Sequence, residues 1–183
     1  MKNDEIFLFY LEGESEKTFY EALTHYLWHG ERMVKFKAFT GSSRLFIGLK
    51  SKELARIKGK HPDSSIHLFI CYDTDIYGND DPFDSLKEEL KEKGFDVHLI
   101  KQTRSLEDFI WKDEEGILRY LRLNLETRLE DFKKDGQQGL KRLFRKAKRN
   151  YEKGKNFRSL VNSLDMAKII EGNKKYLKPL LEI

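Results

Sequence analysis

Two apolar runs in the chain stop abruptly in carboxylates, and the remaining pattern falls into place around them. Ile6-Phe7-Leu8-Phe9-Tyr10-Leu11 runs into Glu12-Gly13-Glu14-Ser15-Glu16, and Ile66-His67-Leu68-Phe69-Ile70-Cys71-Tyr72 runs into Asp73-Thr74-Asp75. Unbroken apolar stretches of this length, rich in aromatic and β-branched residues, read as strands buried on both faces, the usual state of a parallel sheet. After the first run, Phe19, Leu23, Tyr26 and Leu27 recur at helical spacing, with Ser15 as N-cap and Gly13 in a turn that calls for a positive φ or a close approach. Residues 33–39 alternate Val34, Phe36 and Ala38 with Lys35 and Lys37, the pattern of a strand with one wetter face near a sheet edge.

Residues 40–43 form a turn and cap, and Leu45, Phe46, Leu49 and Ile57 supply one face of a second helix, which residues 58–63 break. Residues 77–81 form a loop. Asp81-Pro82 then opens a helix with a capping side chain and a proline at its first position, Phe83, Leu86 and Leu90 share a face, and Gly94 ends it before a strand at 95–100. Strands alternating with helices predict right-handed βαβ units, so the expected fold is α/β: a Rossmann-like, mostly parallel four-stranded sheet flanked by helices. Beyond it the pattern is helical. Leu106, Phe109, Ile110, Leu118 and Leu121 keep helical spacing with an interruption at 113–116; Leu140, Leu143, Phe144, Ala147 and Tyr151 form a second series, and Phe157, Leu160, Val161, Leu164 and Ala167 a third. Residues 135–139, with two glycines, read as a flexible connection. The expected organisation is an α/β core over 1–104 and a C-terminal helical extension over 105–183, packed as one globular unit.

Composition narrows the setting. The 183 residues are 39% hydrophobic and 36% charged, enough for a core under a well-solvated surface. No apolar segment approaches the roughly 18–20 residues of a membrane span, so no membrane and a cytoplasmic location are expected. Cys71 is the one cysteine; it excludes an internal disulfide and reads as an inert buried thiol. The net charge of +4 conceals an asymmetry: −4 over residues 1–100 and +8 over 101–183, with nine basic residues against Glu152 alone between Leu140 and Arg158. An acidic centre joined to a basic segment suits a metal-dependent enzyme acting on a polyanion.

If the two carboxylate-ending strands are parallel neighbours, Glu12, Asp73 and Asp75 meet beyond the carboxyl ends of the sheet, where open α/β sheets hold their ligands. Asp73 and Asp75 project to one side of an extended chain, and Glu16, one turn into the first helix, looks back at the same spot. Carboxylates gathered there repel unless a cation joins them, and oxygen-only ligands select Mg²⁺ or Mn²⁺. The blander reading is that Glu14 and Glu16 complement a helix dipole while Asp73 and Asp75 start a turn.

These residues resemble the Toprim domain, which pairs a glutamate-glycine after its first strand with an Asp-x-Asp after its third. Glu12-Gly13 and Asp73-Thr74-Asp75 match that pattern with about 60 residues between them. Glu12-Gly13-x-x-Glu16 with Phe19-Tyr20 looks most like stand-alone OLD- and RloB-type Toprim proteins of phage defence. Ser105-Leu106-Glu107 resembles the Ser-x-Glu element that follows their fourth strand, although the histidine expected shortly after it in RloB-type chains is missing. The resemblance covers roughly residues 5–110. It implies a Mg²⁺- or Mn²⁺-dependent nuclease acting on DNA or RNA, with Glu12 as general acid or base and Asp73 and Asp75 holding the ion. Glu16 and Glu107 are the candidates for a second ion.

Lys141, Arg142, Arg145, Lys146, Lys148 and Arg149 are candidates for sequence-independent phosphate contacts, or the wet side of an amphipathic helix. Lys101 and Arg104 lie nearer the expected site and are candidate clamps for a scissile phosphate, or surface ion-pair partners. Of His25, His29, His61, His67 and His98, only His25 and His29 are spaced one helical turn apart, and they read as a helix surface. Trp28 and Trp111 read as packing residues. A partner protein or homo-oligomer remains open, as do three rival functions: a non-catalytic nucleic-acid-binding module, nucleotidyl transfer, and a receiver-like phosphoacceptor using Lys101.

Overall fold

Strands β1 (Glu5–Leu11), β2 (Met33–Ala38), β3 (Ser65–Asp73) and β4 (Asp96–Gln102) pair in the order β2-β1-β3-β4, all parallel. The computed structural model describes residues 5–74, 81–102, 105–152 and 155–183. β1 and β3 lie inside the sheet, which is why their runs are continuously apolar; β2 lies at an edge and is the most exposed of the four. Period-two alternation divides their side chains between two cores. Phe7, Phe9, Leu11, Phe69, Cys71 and Ile100 enter one, and Ile6, Leu8, Tyr10, Leu68, Ile70 and Tyr72 the other.

Helices α1 (Glu14–Trp28), α2 (Ser42–Leu49), α3 (Lys52–Lys60) and α4 (Pro82–Glu92) connect the strands. α1 covers the first core through Phe19, Tyr20 and Leu23, whereas α2, α3 and α4 cover the second through Leu45, Leu49, Leu54, Phe83, Leu86 and Leu90. The rest of the chain forms α5 (Leu106–Ile110), α6 (Glu114–Leu121), α7 (Glu130–Lys133), α8 (Gly136–Lys146), α9 (Lys155–Val161), α10 (Met166–Gly172) and α11 (Lys174–Leu181). These helices share the α1 side of the sheet: Phe109, Leu143, Phe144, Phe157 and Leu177 belong to the same core as Phe9 and Phe69. Among the described residues no helix is long and apolar enough to cross a membrane.

Several local expectations change. α1 begins at Glu14 with Gly13 as its N-cap, and Ser15 is buried rather than capping. Tyr26 is exposed; Tyr20 is the tyrosine that α1 buries. The second predicted helix is two, because Ser51 caps α3 by accepting the Glu53 amide hydrogen. The third C-terminal series also divides, at Asp165, which caps α10 and leaves Ala167 exposed. The interruption at 113–116 is real: the Asp113 carboxylate accepts the Gly116 amide hydrogen at 3.1 Å and opens α6. Trp28, Trp111 and Cys71 are buried.

Residues 135–139 are not a flexible connection but the start of α8. A Cβ on Gly139 would stand 1.6 Å from the Phe132 carbonyl oxygen, so the glycine is there to let α8 close against α7. Gly139→Ala should therefore destabilise the fold by about 1–3 kcal/mol despite alanine's higher helix propensity. Gly59→Ala, at an exposed position in α3 with open space around it, should stabilise by up to about 1 kcal/mol. Urea midpoints that move in the same direction for both variants would contradict this packing.

Candidate functional site

The chain leaves β1 toward one face of the sheet and β3 toward the other, since α1 and α4 cover opposite faces. In the order β2-β1-β3-β4 the crevice between the carboxyl ends of β1 and β3 is therefore a topological switch point, where neither connection fills the space. Glu12 and Asp73 stand at this crevice. The Glu12 carboxylate accepts a hydrogen bond from the Asp73 amide at 3.0 Å and another from Ser42 Oγ at 2.8 Å. It thus ties the end of β1 to the end of β3 and to the first residue of α2. Gly41, at φ +95°, supplies the left-handed backbone just before Ser42, and its amide donates to the Glu12 carbonyl at 2.9 Å.

Gly13 is extended, with φ −158°, and needs no positive φ. Its lack of a side chain serves a close approach instead: a Cβ there would stand 2.7 Å from Glu16 Oε2. Glu16 is only 6% exposed and Glu107 only 3%. Glu107 Oε1 accepts a hydrogen bond from the Tyr151 phenol at 3.0 Å. Burial pushes that phenol far above its ordinary range, Glu107 adds to the shift, and Glu16 adds to it more weakly. Both glutamates therefore act on one spot on the α1 side of the rim. Tyr20 and the Cys71 thiol are also pushed well up, chiefly by burial, and both feel Glu16. Gln102, the register partner of Asp73 on β4, donates to the Tyr20 hydroxyl at 3.2 Å.

Glu12 and Asp73 meet at the rim, Glu16 lies against Gly13 and Glu107 against Tyr151, and among the described residues no three of these acids offer ligand atoms within 4.8 Å of one another. Asp75 and Arg104 lie outside the described residues. The donor set is all oxygen and suits Mg²⁺, which usually keeps several waters and takes only one or two protein carboxylates.

The basic candidates are unequal. Lys101 Nζ lies 2.8 Å from Asp84 and 3.0 Å from Asp81. Burial opposes its charge, but the Asp84 and Asp81 carboxylates outweigh burial and raise its pKa. Arg142 donates to the Asp131 carbonyl and pairs with Asp135, while Arg149 donates to the Tyr120 carbonyl and stacks over that ring. Lys146 Nζ stands 5.8 Å from the centre of the Phe132 ring. Arg145, Lys146 and Lys148 are exposed, and Lys141 is half-buried.

A second cluster, which sequence reasoning missed, lies at the opposite end of the strands. Asp96 Oδ2 is 2.9 Å from His67 Nδ1 and 3.1 Å from His98 Nε2, and one ligand atom from each of the three residues falls within 4.8 Å of the others. Burial holds His98 below the ordinary imidazole range although Asp96 pulls the other way. The available signal was Asp96-x-His98 in a strand, two residues apart and so on one face, with a histidine at the matching position of the neighbouring apolar run. His25 and His29, the pair with helical spacing, are both exposed.

Tyr151→Phe removes the phenol donor to a buried carboxylate. It should cost about 1–3 kcal/mol, read as a lower urea midpoint at unchanged m-value. An unchanged midpoint would show that the phenol does not hold Glu107. Comparison with protein-family models, with curated proteins and with solved structures returned no match for this chain.

Proposed function

We propose that the chain is a Mg²⁺- or Mn²⁺-dependent nuclease that hydrolyses phosphodiester bonds of DNA or RNA at the rim between β1 and β3. The observation that carries this reading is the bond from the Asp73 amide to Glu12, which brings the glutamate just past β1 and the first acid of the Asp-x-Asp pair to one crevice. A divalent ion, when bound there, neutralises charge on the non-bridging and leaving oxygens of the phosphodiester. Asp73, with Asp75, holds it; Glu12, fixed by Ser42 and the Asp73 amide, moves the proton. Glu16 on α1 and Glu107 on α5, both buried, are the ligands proposed for a second ion. The likeness of these residues to stand-alone Toprim proteins points the same way and suggests a cytoplasmic role in phage defence.

The placement of the basic segment supports a polyanionic substrate. Tyr151, five residues past the end of α8, reaches Glu107, and the cations Arg145, Lys146 and Lys148 that precede it in the chain are exposed.

Purified protein with Mg²⁺ or Mn²⁺ should cut plasmid DNA or structured RNA. Glu12→Gln should reduce the rate about 10²–10⁴-fold, and Asp73→Ala should abolish metal-dependent cleavage. Binding without cleavage, unaffected by either change, would instead identify a non-catalytic nucleic-acid module. Arg145→Ala with Lys148→Ala should weaken binding and reduce the slope of log K against log salt by about 1.8, two phosphate contacts at ~0.9 each. An unchanged slope would remove α8 from the interface.

A further inference from the structure

We propose that His67, Asp96 and His98 form a second metal site, specific for a borderline cation of the Zn²⁺ type, at the amino end of β3 and β4. It lies away from the acidic rim and does not rest on the nuclease reading. Strand register builds the site. His67 pairs with Asp96 across β3 and β4, and His98 follows Asp96 by two residues, so all three side chains emerge on one face.

Three features distinguish this cluster from an ordinary ion pair. His67 is 9% exposed, and both of its ring nitrogens, together with His98 Nε2, are buried and make no hydrogen bond. Asp96 Oδ2 stands near two of those nitrogens, at 2.9 and 3.1 Å, but neither approach has the direction of a hydrogen bond. Nitrogen lone pairs that point beside a carboxylate oxygen rather than at it suit an ion shared by all three groups. The spacing agrees: ligands about 2.0–2.1 Å from a tetrahedral Zn²⁺ are about 3.4 Å apart, between the two short distances and the 4.8 Å limit observed.

The rings are also held in place before any ion arrives. His67 stacks on Phe7 at 4.8 Å and 7°, and His98 on Phe69 at 4.8 Å and 20°. Glu5 Oε1 lies 3.7 Å from His67 Nε2, too far for a hydrogen bond, so it adds negative charge near the ring without fixing it. Two imidazoles and one carboxylate favour Zn²⁺ over Mg²⁺. Three protein ligands leave a fourth position for water. Asp96 is half exposed, and His98 lines a cleft of about 500 Å³ beside α11, which gives the ion a route from solvent.

The test is titration of chelator-treated, full-length protein with Zn²⁺ by calorimetry, and with Co²⁺ by visible absorption. One tight equivalent is expected, with the intense d–d bands of a tetrahedral site. Zn²⁺ at 100 times its Kd should raise Tm by roughly 5–10 °C. Asp96→Asn and His98→Gln should each weaken Zn²⁺ affinity at least about tenfold while leaving the metal-free Tm near that of the wild type; these replacements keep side-chain volume where His67→Ala risks the fold. A variant with His25 and His29 both replaced by Ala should bind like the wild type. No tight equivalent in the wild type, or one undiminished in both Asp96→Asn and His98→Gln, would overturn the proposal.

Discussion

Parallel pairing of β1 with β3 forces a polar problem that the structure solves with one carboxylate. Both strands are buried on both faces until they end, and there the chain leaves in opposite directions. The backbone at the end of β3 then has no further strand residue of β1 to accept its amide hydrogen, and an unsatisfied buried amide costs about 1–3 kcal/mol. Glu12 accepts that hydrogen from Asp73, and Ser42 holds the other carboxylate oxygen. The position of Glu12 at the rim is thus tied to the topology of the sheet.

The two ends of β3 carry different donor chemistry. Its carboxyl end carries Asp73 with the Glu12 carboxylate beside it, and its amino end gathers two imidazoles with one carboxylate. Six residue steps along the strand take His67 to Asp73, about 20 Å at 3.3 Å per step. His67, Phe69, Cys71 and Asp73 alternate onto the same face, so one core lies under both ends. An aromatic row across the sheet, Phe36, Phe9, Phe69 and His98, links the edge strands and holds the rings rigid between them. Rigid ligands lose little freedom on binding, which favours a site of few contacts.

The C-terminal helices do more than shield the sheet. Through Tyr151 they enclose Glu107 and, with α1, bury Glu16, so these two acids sit in a much drier setting than Glu12. The same helices use part of their own positive charge internally. Arg142 and Arg149 satisfy backbone carbonyls of α7 and α6, as cations near helix C-termini commonly do. Arg149 is half-buried in doing so, whereas Arg142 stays exposed.

Much of the α/β core was legible in the chain itself. Continuous apolar runs identified β1 and β3, alternation identified β2 as an edge, and Asp81-Pro82 with Gly94 bounded α4, because burial and capping act on neighbouring residues. Matching strand ends brought Glu12 and Asp73 to one rim, where the contact is the Asp73 backbone amide on the Glu12 carboxylate rather than two carboxylates about an ion. Other features were decided only by tertiary structure. The glycines at 136 and 139 look alike in sequence, yet Gly136 serves a positive φ of 48° whereas Gly139 clears the Phe132 carbonyl. The cluster of His67, Asp96 and His98 depends on strand register, which a period-two pattern leaves undetermined by any shift that keeps the buried face. Sequence set which side chains turn inward, since solvent penalises each apolar group where it stands; which polar groups then face one another depended on alignment between strands far apart in the chain.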